Sequence, residues 1–206
     1  TLGDFIRIGL KDADENSVFK DIDSFQLLTP QQLKLNKLSA LFLFVSQGIT
    51  MIHSGQEYAR TKIIPADINV KDENKGKIDH NSYNKDNETN FINYNHAKAN
   101  SELLNYYKGL IALRSKYEAF RRAEYSDISF SDIKNNEFAI NCKIKYNNDE
   151  FLILLNADRE KTQSFDLPDG KWQVIVTPDM VDINSERIAK NGITLNPSEG
   201  YVLKRK

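Results

Sequence analysis

The feature that most limits the fold is a short apolar run, Ile-Thr-Met-Ile-His at residues 49–53, framed by Gly48 and Gly55. The run is too short for a helix, and an apolar stretch between glycines reads as a buried strand of a parallel sheet. A helix precedes it. Thr29-Pro30-Gln31-Gln32 predicts the start, with Thr29 as N-cap, Pro30 at the first helical position and Gln32 closing a capping box. Leu35, Leu38, Leu41, Phe42 and Val45 then recur at helical spacing until Gly48 stops the helix. A second helix is predicted at about 97–115, carried by Leu103, Leu104, Tyr107, Leu110 and Ile111. Helix, strand, helix is an α/β alternation. Yet a solitary parallel strand leaves its backbone groups without partners. The chain is therefore expected to be the end of a larger barrel or sheet, or to have its neighbours supplied from elsewhere. Thr1 in place of an initiator Met agrees with a processed protein or an excised piece.

Residues 1–28 are mixed, with an amphipathic start (Leu2, Phe5, Ile6, Ile8, Leu10) and a charged stretch from Lys11 to Glu15. Residues 54–96 show no helical or strand periodicity. Loops beyond about 15 residues inside compact domains are uncommon and are usually functional or disordered. This one carries Tyr58, Tyr83, Phe91 and Tyr94, which argues against a solvated linker. After about Arg122 the pattern changes to short alternating or apolar runs at 127–130, 137–146, 150–156, 163–166, 171–177, 192–195 and 200–204. Turn signals such as Asn147-Asn148-Asp149, Pro168-Asp169-Gly170 and Asn191-Gly192 separate them. The expected organisation is an α/β segment over 1–122 and an antiparallel β-sandwich over 123–206.

Lys plus Arg number 28 against 29 for Asp plus Glu, so the charge gives no reason to expect nucleic acid or an anionic membrane as partner. The longest apolar run, around residues 41–45, is far short of the roughly 20 residues that span a bilayer. The single cysteine, Cys142, sits in an alternating strand pattern and reads as a buried, inert thiol. His53, His80 and His96 lack metal-ligand spacing, and no cofactor is evident.

The stretch SQGITMIHSGQE (46–57) resembles the eighth-strand signature of the α-amylase family of glycoside hydrolases. Its continuation GQEYARTK, the later DHNSYNKDNETNFINY (79–94) and YYKGLIALRSKYEAFR (106–121) are similar to the debranching members, the type I pullulanases. Two positions depart from the family pattern: Thr50 stands where Pro usually follows Gly-Ile, and Tyr94 where Trp closes the Asn-x-Ile-x-Trp element. The resemblance implies the C-terminal end of a (β/α)8 TIM barrel followed by a β-sandwich. It implies a retaining enzyme acting on the α-1,6 linkages of pullulan, starch or limit dextrin. The three catalytic carboxylates of that family belong to barrel strands four, five and seven, and no Asn-His-Asp or Ser-His-Asp motif occurs here. The resemblance thus implies no catalytic residue in this chain, inactivity of the chain alone, and the N-terminal remainder of the same protein as partner. Calcium is met in the family at various places and could serve the parent enzyme, although no acid cluster here has convincing ligand spacing.

In a barrel of this kind the strand ends and following loops build the site. His53 either faces the barrel mouth or is a satisfied core imidazole. Gln56 and Glu57 are candidate partners of sugar hydroxyls, with a Glu57–Arg60 bridge as the structural alternative. Asn81 and Tyr83 are the leading substrate-contact candidates, since a sugar presents flat apolar faces and hydroxyl edges that suit an aromatic ring beside an amide. Asp86 is a hydroxyl binder or a solvated loop acid. Arg60 and Lys62 either clamp the loop or face water; the clamp is favoured for Arg60, whose rigid guanidinium fork suits carboxylates. Trp172 alternates in a strand and reads as core rather than as a starch-binding surface with Tyr146 and Tyr201. Two other readings stand beside this one: a non-catalytic carbohydrate-binding accessory protein, and an α-amylase-type hydrolase of different linkage preference.

Overall fold

The structure is a computed structural model that describes every residue except 15, 65 and 68. Glu15 of the charged stretch, and Pro65 and Ile68 of the long loop, lie outside the described residues. The chain forms two compact units, Thr1–Asn36 with Met51–Leu104, and Lys37–Thr50 with Asn105–Lys206.

The first unit begins with helix α1 (Leu2–Gly9), capped by a reciprocal Thr1–Asp4 box, and α2 (Ile22–Gln26), capped by Asp21. Helix α3 (Pro30–Val45) starts as the sequence predicts. The Gln32 amide donates to Thr29 Oγ1 at 3.3 Å and the Thr29 amide to Gln32 Oε1 at 3.1 Å. The second predicted helix is two helices, α4 (Asn95–Ala99) and α5 (Ser101–Lys116). Asn100 breaks them apart because its side chain has work elsewhere. It donates to the carbonyls of Gln26 at 2.8 Å and Tyr58 at 3.0 Å, and accepts from the Leu28 amide at 3.2 Å.

The interior of this unit is polar to a degree that apolar patterning does not reveal. Asp4, Arg7, Gln26, Thr61 and Asn100 are all buried, while Phe5 and Ile8 on α1 are exposed. Asp4 accepts from Thr61 Oγ1 at 2.5 Å and from the Lys62 amide at 3.0 Å. Gln26 Nε2 donates to the carbonyls of Tyr58 and Ala59, and its Oε1 accepts from the Thr61 amide. Each buried polar atom so bonded avoids the desolvation penalty of an orphan.

The expectation of a parallel strand at residues 49–53 is corrected. No strand forms there, and Ile49 and Met51 are 101% and 85% exposed. The reason is the one that made the run puzzling: among the described residues no neighbouring strand offers it hydrogen bonds, so the apolar run stands in solvent.

In the second unit Ala119–Arg122 forms α6, and all seven runs predicted as strands are strands. They are β1 (Ile128–Ser131), β2 (Ala139–Tyr146), β3 (Asp149–Asn156), β4 (Gln163–Asp166), β5 (Trp172–Val176), β7 (Gly192–Leu195) and β8 (Glu199–Arg205); the two-residue β6 (Ile188–Ala189) carries too little pattern to be seen in advance. Six strands make one antiparallel sheet in the order β1-β2-β3-β8-β5-β6, and β4 pairs with β7 in a second sheet. The β2–β3 hairpin closes through Asn147-Asn148 between the paired Tyr146 and Asp149, with Asn147 at φ 52°. Asn tolerates that left-handed conformation, which matches the twist of a two-residue hairpin.

Strand β3 is buried on both faces from Phe151 to Asn156. On one face Leu152 and Leu154 join Phe165, Leu167, Trp172, Val174, Leu195 and Leu203 between the two sheets. On the other, Phe151 meets Tyr117 and Phe120 at ring-centroid distances of 5.0 and 4.8 Å. The six-stranded sheet therefore has a helical layer on this face. Gly200 admits the part of α3 that belongs to this second unit, residues 37–45, since a Cβ there would lie 2.6 Å from Leu41 Cδ2 and 2.8 Å from Leu155 Cδ2. Trp172 is wholly buried with its Nε1 donating to Pro168 O at 2.8 Å, and burial pushes the Cys142 thiol up to about 11.

Arg114 holds the end of α3. Its guanidinium donates to the carbonyls of Phe44 at 2.9 Å, Ser46 at 2.8 Å and Gly48 at 2.5 Å, and also to Phe120 O. A cation with several donors suits the unpaired carbonyls and negative dipole end of a helix.

Candidate functional site

The segment after His53 turns sharply. The amide of Gln56 donates to His53 O at 2.8 Å, residues Gln56–Tyr58 make one turn of 3-10 helix, and the Arg60 amide returns to Gly55 O at 2.9 Å. Gly55 has φ +88°, and a Cβ there would lie 2.7 Å from Arg60 Cβ and Cδ, so glycine is required both for conformation and for space. The turn places Tyr58 inside and aims the Arg60 side chain at the long loop. Arg60 donates to Ser54 O at 3.2 Å, Thr89 O at 3.3 Å and Phe91 O at 3.2 Å. All three acceptors are backbone carbonyls, not the carboxylates that the guanidinium fork suggests.

Beyond the turn, Ile63 and Ile78 bridge antiparallel and the Asp79 amide donates to Lys62 O at 2.8 Å. This clip delivers residues 79–83 beside His53. Thr1, His53, Lys62, Asp79, His80, Asn81, Ser82 and Tyr83 line a polar cavity of about 220 Å³. The structure thus brings together His53, Asn81 and Tyr83 of the residues singled out in the sequence. Tyr83 stands 85% exposed at the rim. Gln56 supports the rim, its Oε1 accepting from the His53 amide at 3.2 Å. Glu57 is half-buried, and its Oε2 lies buried without a hydrogen-bond partner. Asp86 is exposed and does not line the cavity.

The electrostatics of the cavity are set by two buried cations. Partial burial, then the charges of Lys62 and Arg60, hold the His53 imidazole below its usual range, so it stays neutral near pH 7. Burial and the neighbouring Arg60 likewise lower Lys62, against the pull of Asp79 and Asp4. On the outer side Lys85 sits between two carboxylates, 2.8 Å from Asp72 Oδ1 and 2.5 Å from Asp79 Oδ2. Among the described residues no group of three or more His, Cys, Asp or Glu side chains converges as a metal site.

The lining residues that sequence reasoning did not assign to a site are Thr1, Asp79, His80 and Ser82. Asn90, which heads the Asn-x-Ile-x-Tyr element, bonds Ser82 and Lys62 of that lining. A larger groove of about 460 Å³ lies in the second unit, bounded by Phe42, Val45, Ile128, Phe130, Ile144 and Ile153. Its apolar lining offers little to sugar hydroxyls, whereas the smaller cavity presents imidazole, ammonium, amide and phenol together.

The chain matches no protein-family model. A pullulanase of Bacillus subtilis is 31% identical over 126 residues, 59% of this chain and 15% of the relative. A solved pullulanase from an Anoxybacillus species is similar over 100% of this chain and 26% of its own, with TM-score 0.71 and 25% identity. A glycogen-degrading pneumococcal virulence factor, solved as a product complex, shares the fold over 100% of this chain and 25% of its own, with TM-score 0.72 and 23% identity. The chain therefore spans about 15% of the curated relative's length. Its build, a mainly antiparallel sheet with accompanying helices, is that of a pullulanase C-terminal region. By sequence and fold together, the chain resembles the C-terminal region of type I pullulanase.

Proposed function

We propose that this chain is the C-terminal part of an α-glucan debranching glycoside hydrolase that cleaves α-1,6-glucosidic linkages with retention through a covalent glycosyl-enzyme. Residues 49–53 then take their place as the closing strand of a (β/α)8 barrel, with 1–122 as barrel segment and 123–206 as the β-sandwich. The exposure of Ile49 and Met51 supports this reading, because an apolar run in solvent is the expected state of a strand without its neighbours. The apolar groove beside Phe42 and Phe130 is in keeping with it, as a surface for the remainder of the same protein.

The observation that carries the proposal is the likeness to a pullulanase over the entire chain, joined to a polar cavity flanked by an exposed Tyr83. In this role Tyr83 offers its ring to a sugar face, Asn81 and His53 bond hydroxyls, and Gln56, Glu57 and Arg60 hold the rim. The reacting carboxylates lie in barrel strands outside this chain, so the chain alone is inactive. The test is Tyr83→Ala in the full-length gene product assayed on pullulan. A fall of at least tenfold in kcat/KM, equal to about 1.4 kcal/mol, is expected. An unchanged value removes Tyr83 from the site.

A further inference from the structure

We infer that Asn90 is the positioning residue of the sugar-facing loop, the side chain that fixes the stretch bearing Asn81 and Tyr83 for an α-glucan ring. The ligand rests on the pullulanase-type reading above, while the fastening itself rests on geometry. Asn90 heads the Asn-x-Ile-x-Tyr element, for which no role has emerged so far.

Its carboxamide is used to capacity. Nδ2 donates to Ser82 O at 2.6 Å and to Lys85 O at 2.5 Å. Oδ1 accepts from Ser82 Oγ at 3.0 Å and from Lys62 Nζ. An amide has two donors and two acceptor sites, and all four are engaged. The orientation is dictated by the partners, since two carbonyls can only accept and an ammonium can only donate. One planar group thereby grips the backbone immediately before Tyr83 and two residues after it, and ties both to the Lys62 segment that leads from the turn. The ring of Tyr83 is 85% exposed and so is aimed by its backbone rather than by packing. Fixing that backbone before binding removes an ordering cost that a flexible loop would incur.

No other common side chain reproduces the pattern. Aspartate keeps the acceptor half, strengthened toward Lys62, but sets an oxygen against two carbonyls. Alanine removes both halves. Ser82→Ala deletes a single bond to Oδ1 and leaves both Nδ2 bonds to the backbone carbonyls in place, so it is a milder probe.

The experiment uses the full-length gene product, with maltotetraose as the probe in calorimetric titration and hydrogen exchange read at residues 82–85. Asn90→Ala and Asn90→Asp are expected to weaken maltotetraose at least tenfold and to speed exchange at 82–85 by a similar factor. Ser82→Ala should weaken it two- to threefold. The decisive arm is Asn90→Ala combined with Tyr83→Ala. If Asn90 acts by aiming the loop, the double variant binds no more than twofold worse than Tyr83→Ala alone. Losses that multiply in the double variant would mean a general structural role and overturn the inference. Exchange at 82–85 unchanged in Asn90→Ala overturns the fastening, whatever the sugar data show. A wild-type protein that ignores maltotetraose while its exchange responds to Asn90→Ala overturns the sugar-facing assignment and the pullulanase-type reading with it, leaving only the fastening.

Discussion

Arg60 Nη2 donates to the carbonyl of Phe91 at 3.2 Å, tying the turn after Gly55 to the far end of the long loop. The same nitrogen reaches Thr89 O at 3.3 Å, and Nη1 reaches Ser54 O at 3.2 Å, so one guanidinium closes the loop on itself. Charged hydrogen bonds of this kind contribute about 1.5–3 kcal/mol each when a partner is left buried and unpaired. Arg60→Ala should therefore lower the urea midpoint and speed hydrogen exchange at residues 89–91. Arg60→Lys should rescue little of the loss, because an ammonium cannot span carbonyls on two sides as the planar fork does. Full rescue by lysine would show that charge alone matters here.

The Asp72–Lys85–Asp79 cluster makes the loop's stability depend on pH. Asp72 is lowered chiefly by its bond from Lys85; Asp79 is raised by burial, but Lys85, the Asn81 amide and Asn74 outweigh this and leave it lowered. Lys85 is pulled down by burial and raised on balance by the two carboxylates. Carboxylates with lowered values stabilise the fold above the ordinary carboxylate range, and that contribution is lost as pH falls through the folded values. A lysine with a raised value contributes below its ordinary range and loses this only as pH rises through its folded value. Hydrogen exchange at 79–85, corrected for intrinsic rates, should thus show protection flat from about pH 5 to 9 and declining in acid. In Lys85→Met the acid decline should begin at a higher pH, because the carboxylates lose the charge that lowers them.

Gly55→Ala tests the turn itself. A residue at φ +88° with a Cβ 2.7 Å from the Arg60 side chain meets both backbone strain and overlap. A loss of about 1–3 kcal/mol in chemical denaturation is expected. Gly9→Ala, where a Cβ would meet nothing within 4 Å, is the control and should be close to neutral or slightly stabilising.

The exposed apolar side chains predict association when this chain is produced alone. Phe42 is 53% exposed, beside Ile49 and Met51 in the same sequence stretch. Sedimentation of the isolated chain should show concentration-dependent dimers or larger species, reduced by Ile49→Ser with Met51→Ser. A clean monomer across the accessible concentration range would contradict the view of the Ile49 and Met51 side chains as unpaired apolar groups.

Much of this was legible before the fold was seen. Alternating or continuous apolar runs between Asn, Asp, Gly and Pro turns marked β1 to β5, β7 and β8, because burial of one or both faces of a strand is written into its sequence. The Thr29–Gln32 box was legible because capping is local chemistry. Residues 49–53 form no strand here, because apolar character reports what a segment would bury, not whether a neighbour is there to bury it. The break at Asn100 and the buried set of Asp4, Arg7 and Gln26 escaped because they depend on partners far along the chain. Asn90 heads the Asn-x-Ile-x-Tyr element, but its role escaped for the same reason, because its bonds to Ser82, Lys85 and Lys62 exist only in the folded loop.

Product analysis of pullulan treated with the full-length gene product tests the central claim most directly. The account predicts release of maltotriose by that protein and no product from Thr1–Lys206 alone. Cleavage of amylose with pullulan left intact, or maltotriose released by the isolated chain, would contradict it.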